Sequence, residues 1–215
     1  MNALWLRQML TQVVIATGIS GCATTLPAPE LSDPGRVGVA IEVSLRAPAG
    51  FPHTSPDQVF FARVEGDAGI LQKQFVRSNF VKGSRAYLLN ATAGNYVAVG
   101  AFFRPAGTRA SYTTYFSQEL IEKTRVSAKP GELAYLGSYV VDQSVGLSGA
   151  DPAQTHYQNV IAPGAVTGGF LHLLGGDFHY RGGLVEQKVL TESHNAFRTK
   201  AMEDLAGTSW ATRVK

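Results

Sequence analysis

Residues 37–45 read VGVAIEVSL. Val37, Val39, Ile41, Val43 and Leu45 alternate with Gly38, Ala40, Glu42 and Ser44, and a period of two is the signature of a strand. A helix would repeat its apolar positions every three or four residues. Five aliphatic side chains fall on one face and four small or polar ones on the other, so one face reads as buried and one as wet. Order is expected to begin sharply at Val37.

Further strand candidates follow downstream. QVFFARV (58–64) runs into the turn EGDAG. LQKQFVRSNFV (71–81) reads as one long strand or two short ones. RAYLLN (85–90) ends at ATAGN, and NYVAVGAFF (95–103) follows, closed by PAGTRAS. YTTYFSQELI (112–121) is β-rich in Tyr and Thr. KTRVSA (123–128) leads to KPGE, where Pro130 and Gly131 stand in the order a type II turn favours. LAYLGSYVVD (133–142) ends the run. Residues 37–142 thus hold seven or eight short strands and no helix. A parallel sheet would need crossover helices of about a dozen residues, for which there is no room. The expected fold is mostly β, an antiparallel β-sandwich with a C-terminal α-helix packed against it, in a single domain spanning residues 37–215.

The second half is less regular. Residues 143–169 are rich in Gly, Ser, Pro and Gln, with Tyr157, Val160 and Ile161 able to tuck a loop onto the body. FLHLLGG (170–176), DFHYRGG (177–183) and LVEQKVL (184–190) read as strand pieces. Then the period changes. Ser193 can cap a helix over about 193–206, and Phe197, Ala201 and Leu205, with Met202 beside them, make one apolar stripe. Glu203 and Asp204 sit late, where the helix dipole disfavours acids, so docking of the stripe must supply the stability. Gly207 can end the helix, and Trp210 can pin the tail.

Upstream of the first strand, ATTLPAPELSDPGR (23–36) has three prolines and little apolar mass, and reads with Cys22 as a flexible tether. The chain opens MNALWLRQMLTQVVIATGISGC. Arg7 is the cation of this stretch, and Met9–Ile19 carries no charge. That is the length of a signal-peptide h-region and too short for a permanent bilayer-spanning helix. Ile19, Ser20 and Gly21 lead into Cys22, the sole cysteine of the chain.

This stretch resembles the lipobox of bacterial lipoproteins: an aliphatic residue, two small residues and a cysteine. The resemblance implies that residues 1–21 are a signal peptide and that the Cys22 thiol receives a diacylglyceryl group. The chain would then be cut before Cys22 and the new amine acylated, with palmitate among the acyl chains. Ala23, where an Asp would favour inner-membrane retention, implies sorting to the outer membrane. The domain would then lie in the periplasm or at the cell surface. The physical chemistry agrees, since several acyl chains hold a protein on a bilayer where one is marginal. Lipid would also consume the only thiol of a chain bound for an oxidising compartment.

Composition narrows the partners. An apolar fraction of 45% supports a true core, while 23 Gly and 10 Pro suit many turns between short strands. Nineteen Lys and Arg stand against 16 acids, and removing Arg7 with the first 21 residues leaves about +2. The cations are scattered singly, so no nucleic-acid partner is expected despite the basic isoelectric point. No phosphate-binding glycine loop and no internal repeat occurs, and no cofactor is expected.

ATAGNYVAVGAF (91–102) and VSAKPGELAYLG (126–137) share a turn running into an aromatic-bearing strand. They resemble the transthyretin-like, or prealbumin-like, sandwich modules of exported bacterial proteins, over about half of the chain. Such modules usually carry no catalysis, so the resemblance implies binding or scaffolding.

Few residues point to chemistry. His172, Asp177 and His179 can supply two imidazoles and a carboxylate to a metal, which would make the chain a metal-assisted hydrolase, but their spacing matches no zinc signature. Ser148 is flanked by glycines without the spacing of a nucleophile elbow. Glu119 and Glu122 read as a wet edge. Tyr112, Tyr115, Phe116, Phe51, Phe60, Phe61, Phe102 and Phe103 form aromatic clusters, either covered within the chain or exposed for a glycan. The expectation is a non-enzymatic envelope lipoprotein, held to the bilayer through acylated Cys22 and meeting an envelope protein or glycan. A metal-assisted hydrolase and a carbohydrate-binding module are the alternatives.

Overall fold

A computed structural model describes residues 27–47, 54–64, 70–146, 178–187 and 190–214. Ten strands form in the described residues: β1 (Val37–Arg46), β2 (Gln58–Val64), β3 (Ile70–Arg77), β4 (Phe80–Lys82), β5 (Arg85–Ala91), β6 (Gly94–Phe103), β7 (Tyr112–Phe116), β8 (Val126–Ala128), β9 (Leu133–Gly146) and β10 (Phe178–Gln187). Two α-helices accompany them, α1 (Gln118–Lys123) and α2 (Leu190–Asp204), and a 3-10 turn covers Ala211–Arg213. The expected class holds: the protein is mostly β, with a helix near the C-terminus packed on the sheet.

The strands make one sheet in the order β3-β2-β6-β7-β10-β9-β1-β5-β4, with β8 pairing the start of β6. β3 and β4 stand at opposite ends of this path, yet only Ser78 and Asn79 separate them in sequence. The ends must therefore meet, and the sheet curls into a half-barrel. Each linking residue serves one end. Ser78 donates its N–H to the Val59 carbonyl and accepts the Val59 N–H on its hydroxyl, extending the ladder to β2. Asn79 pairs its side-chain amide with both the N–H and the carbonyl of Leu89 on β5.

Pairing is mixed. β1 runs parallel to β9, and β7 runs parallel to β10. The expectation of purely antiparallel pairing assumed that a crossover must be a helix. Here the strands between each parallel pair make the return journey themselves.

Curling places apolar side chains on both sides of β2 and β6, where Val59, Phe60, Phe61 and Ala62, then Tyr96 through Ala101, are buried. The adjacent rings of Phe60 and Phe61 are both covered within the chain. Val37, Val39, Ile41, Val43 and Leu45 fill the same core from β1. The other face of β1 differs from expectation, because it is covered. Ala40 lies in a second core with Phe80, Tyr87, Leu89, Phe197, Ala201, Leu205 and Trp210. Gly38 faces that core too; a Cβ there would meet Leu133 Cδ1 at 2.5 Å and the Trp210 ring at 3.0 Å. Gly38 is the seat of Trp210.

α2 spans Leu190–Asp204, so Ser193 falls within its bounds and not ahead of them. Phe197, Ala201 and Leu205 are buried as the stripe requires, while Met202, expected beside them, is half exposed. Gly207, at φ +80°, turns the chain, and Trp210 is fully buried behind it. α1 departs from the expectation of strand through residue 121. Ser117 accepts the Leu120 N–H and starts a six-residue helix whose Leu120 and Ile121 are buried. Thr124 ends it and mends a gap: where β6 has β7 on one side and β8 further on, the Ala98 N–H finds the Thr124 hydroxyl at 2.9 Å. That hydroxyl is fully buried and lies 2.7 Å from the Ile121 carbonyl.

Opposite α1, the Tyr139 hydroxyl lies 2.8 Å from the Lys123 carbonyl and 2.7 Å from that of Leu136. Burial pushes this phenol up to about 12. The bulge that aims it contains Gly137 at φ +121°, a conformation that disfavours any side chain.

Three changes test this account by urea unfolding. Trp210→Ala should cost about 3–5 kcal/mol, the range for removing a large buried ring, while Met202→Ala should stay within about 0.5 kcal/mol. Thr124→Val keeps the shape but strands the Ala98 N–H, and should cost about 1–3 kcal/mol. An unchanged midpoint for Thr124→Val would remove its role in the ladder.

Candidate functional site

Among the described residues, the densest group of buried charge lies where α2 ends. The last turn of this helix has no basic residue of its own. Its complement comes from the β4–β5 hairpin. Asp204 accepts hydrogen bonds from Arg85 Nε at 2.5 Å, Arg85 Nη2 at 2.9 Å and the Tyr87 hydroxyl at 2.6 Å, with Lys82 Nζ at 3.5 Å. Burial pushes the Asp204 carboxyl up, but hydrogen bonds from Arg85 and Tyr87 and the charges of Arg85 and Lys82 outweigh it, so its pKa is lowered. Burial first, and then the bond to Asp204, raise the Tyr87 phenol. A carboxylate held ionised by so many donors is a poor proton shuttle near neutrality. It serves as a clamp.

A second carboxylate lies under the same helix. Glu42 accepts from the Ser84 hydroxyl at 3.1 Å and the Ser138 hydroxyl at 2.8 Å, and faces Lys200 Nζ at 3.6 Å. Glu42 was expected on a wet face; it is an anchor for α2 instead.

The N-terminal segment joins this side of the fold. The backbone carbonyl of Glu30 accepts from Asn90 Nδ2 at 2.6 Å, and its carboxylate accepts the N–H and hydroxyl of Ser209 at 2.9 and 2.5 Å. These bonds hold the Glu30 carboxyl below its usual range, the Ser209 hydroxyl most of all. Leu31 N–H donates to Ser209, Ser32 N–H donates to Asn90, and Ala28 and Leu31 pack against the second core. Residues 27–36, the later part of the segment read as tether, are thus strapped to the body. Beside the strap is a groove of about 690 Å³, walled by Pro27–Glu30, by Phe80 and Lys82, and by Asp204 with Ala206–Thr208.

Elsewhere, cross-strand neighbours build an aromatic row. Phe103, Tyr112 and Phe178 sit opposite one another on β6, β7 and β10, with centroid separations of 4.7 and 5.0 Å and interplanar angles of 12° and 17°. Tyr180 stacks diagonally at 6.2 Å. Rings this close and this parallel lie face against face. Tyr112 is enclosed between its neighbours, and Phe178, about half exposed, ends the row.

The candidates from sequence distribute as follows. His172, Asp177, Ser148, Phe51 and Cys22 lie outside the described residues. His179 is on β10, its Nδ1 2.8 Å from the Tyr115 hydroxyl and its ring stacked on Tyr115. Tyr115 and Phe116 are buried, and Phe102 is partly covered. Glu119 pairs with Lys123 and Glu122 with Arg125 along α1, as surface ion pairs. Among the described residues no three His, Cys, Asp or Glu side chains gather as a metal site. No described helix is long and apolar enough to cross a membrane. No family model matches the chain, and comparison with curated proteins and with solved structures found no match.

The clamp makes a pH prediction. The Asp204 pKa is lower folded than its unfolded value of about 3.9, so its stabilisation is complete above that value and is lost as pH falls through the folded pKa. Asp204→Asn should cost about 3 kcal/mol at neutral pH, because Arg85 loses its buried partner. The variant should also lose stability less steeply than the parent between about pH 5 and pH 2. Urea midpoints measured across that range check both; parallel acid profiles would show that Asp204 is not the titrating clamp.

Proposed function

We propose that the protein is a membrane-anchored envelope lipoprotein, lipidated at Cys22, whose domain binds or scaffolds and performs no reaction. The observation that carries this reading is Ile19-Ser20-Gly21-Cys22, placed after the uncharged Met9–Ile19 and before a proline-bearing segment. Outer-membrane sorting follows from Ala23 by the same resemblance. The fold is compatible, being a curled, sandwich-like β domain with a helix on one face. Its most buried ionic and polar side chains among the described residues hold elements together: Asp204 clamps α2, Thr124 mends β6, and Gln143 Nε2 donates to Thr114 at 2.7 Å.

The alternatives draw less support. A sugar-binding platform needs ring faces open to solvent, and in the aromatic row the inner faces are closed by one another. A metal-assisted hydrolase would rest on His172 and Asp177, outside the described residues, with His179 already bonded to Tyr115.

The test is the intact mass of protein extracted from its native membrane. A polypeptide beginning at Cys22 and carrying acyl chains is expected, and Cys22→Ser should keep its leader, gain no acyl mass and leave the membrane fraction on washing. A Cys22→Ser protein that stays membrane-bound at unchanged mass would overturn the anchor.

A further inference from the structure

We propose that the strapped corner of the domain, with the groove beside Lys82 and Ala206, rests on the bilayer surface, so that the domain is held in one orientation. The inference deepens the lipoprotein reading and depends on it. Its warrant is where the chain becomes fixed. A proline-bearing leader of fifteen residues (22–36) would let a domain tumble freely above a membrane, but here the strap begins almost at once. Ala28 and Leu31 are packed on the second core, and Glu30 is bonded to both Asn90 and Ser209. Pro27, the first described residue, is on the wall of the groove.

The five steps from Cys22 to Pro27 span at most about 18 Å even when fully extended. A domain of this size is about 40 Å across. The acylated residue lies in the headgroup layer, so Pro27 cannot rise beyond that reach. The far side of the domain cannot be turned toward the lipid. The surface around Pro27 suits the contact. It offers Pro27 and Pro29 beside the side chain of Lys82, which is 52% exposed and reaches outward past its ion pair with Asp204, where it can meet lipid phosphate. Arg109 lies elsewhere, in the exposed turn between β6 and β7 that leads into the aromatic row. That row, on β6, β7 and β10, is several strands along the sheet from β4.

The experiment uses the full-length acylated protein in vesicles of phosphatidylethanolamine and phosphatidylglycerol containing a lipid with a nitroxide headgroup. Lipid occupies Cys22, so a thiol introduced by Ala206→Cys or Arg109→Cys takes a fluorophore specifically. Quenching at position 206 should exceed that at position 109 at least threefold. Inserting about twenty Gly and Ser residues between Leu26 and Pro27 should erase most of the difference, because the reach then exceeds the domain's own width. Equal quenching, or stronger quenching at 109, in a protein whose mass confirms acylation overturns the orientation and leaves the lipoprotein reading standing. A contrast that survives the insertion overturns the short reach as its cause. A mass without acyl chains overturns both.

Discussion

Two residues, Ser78 and Asn79, impose the constraint on which the fold depends. They join the first strand of the sheet path to the last, and so short a link forbids an open, flat sheet. Once the ends must meet, the sheet has to curl, and β2 and β6 come to bury both faces. The link also protects what it joins. Sheet edges expose unpaired backbone groups that invite foreign strands. Here Ser78 and Asn79 use their side chains to continue hydrogen bonding to β2 and β5, just where the backbone passes from one to the other.

Curling leaves one outer face, that of β1 and β5, to be covered separately, and α2 with Trp210 does so. Small residues on β1 make it possible: Gly38 admits the indole, and Ala40 lies under the second core. The indole N–H of Trp210 is buried without a hydrogen-bond partner among the described residues, so the ring contributes through packing. Charge then fixes the helix at its end, where Asp204 takes its counter-ions from the sheet. The N-terminal strap closes over the same region through Ser209, so that both ends of the described chain share one set of contacts.

Much of this was legible in sequence. Alternation located β1 and β6 nearly to the residue, and short apolar runs bounded by turns located β2 and β5. The stripe Phe197, Ala201 and Leu205 marked α2, and Gly207 its end. α1 was hidden by its surroundings: Tyr115 and Phe116 before it and Leu120 and Ile121 within it read as one apolar strand. The available signal was Ser117 ahead of QELIEK, a capping residue before good helix formers. Parallel pairing was illegible, since the choice of β9 as neighbour to β1 is made by residues almost a hundred positions away. The polar site was half legible. Asp204 stood at the wrong end of its helix and so needed a cation, but Arg85 and Tyr87 lie 119 and 117 residues earlier and no local pattern names them.

The parallel ladder between β1 and β9 also bears on timing. β1 is the first of the described strands to be made, yet it can complete its pairing only after residues 133–142 have emerged, and its outer face waits for Trp210. Contacts so distant in sequence make folding slow. An emerging chain with this topology has no early stopping point at which its first half is stable alone. It stays loose until nearly all of these residues have been made.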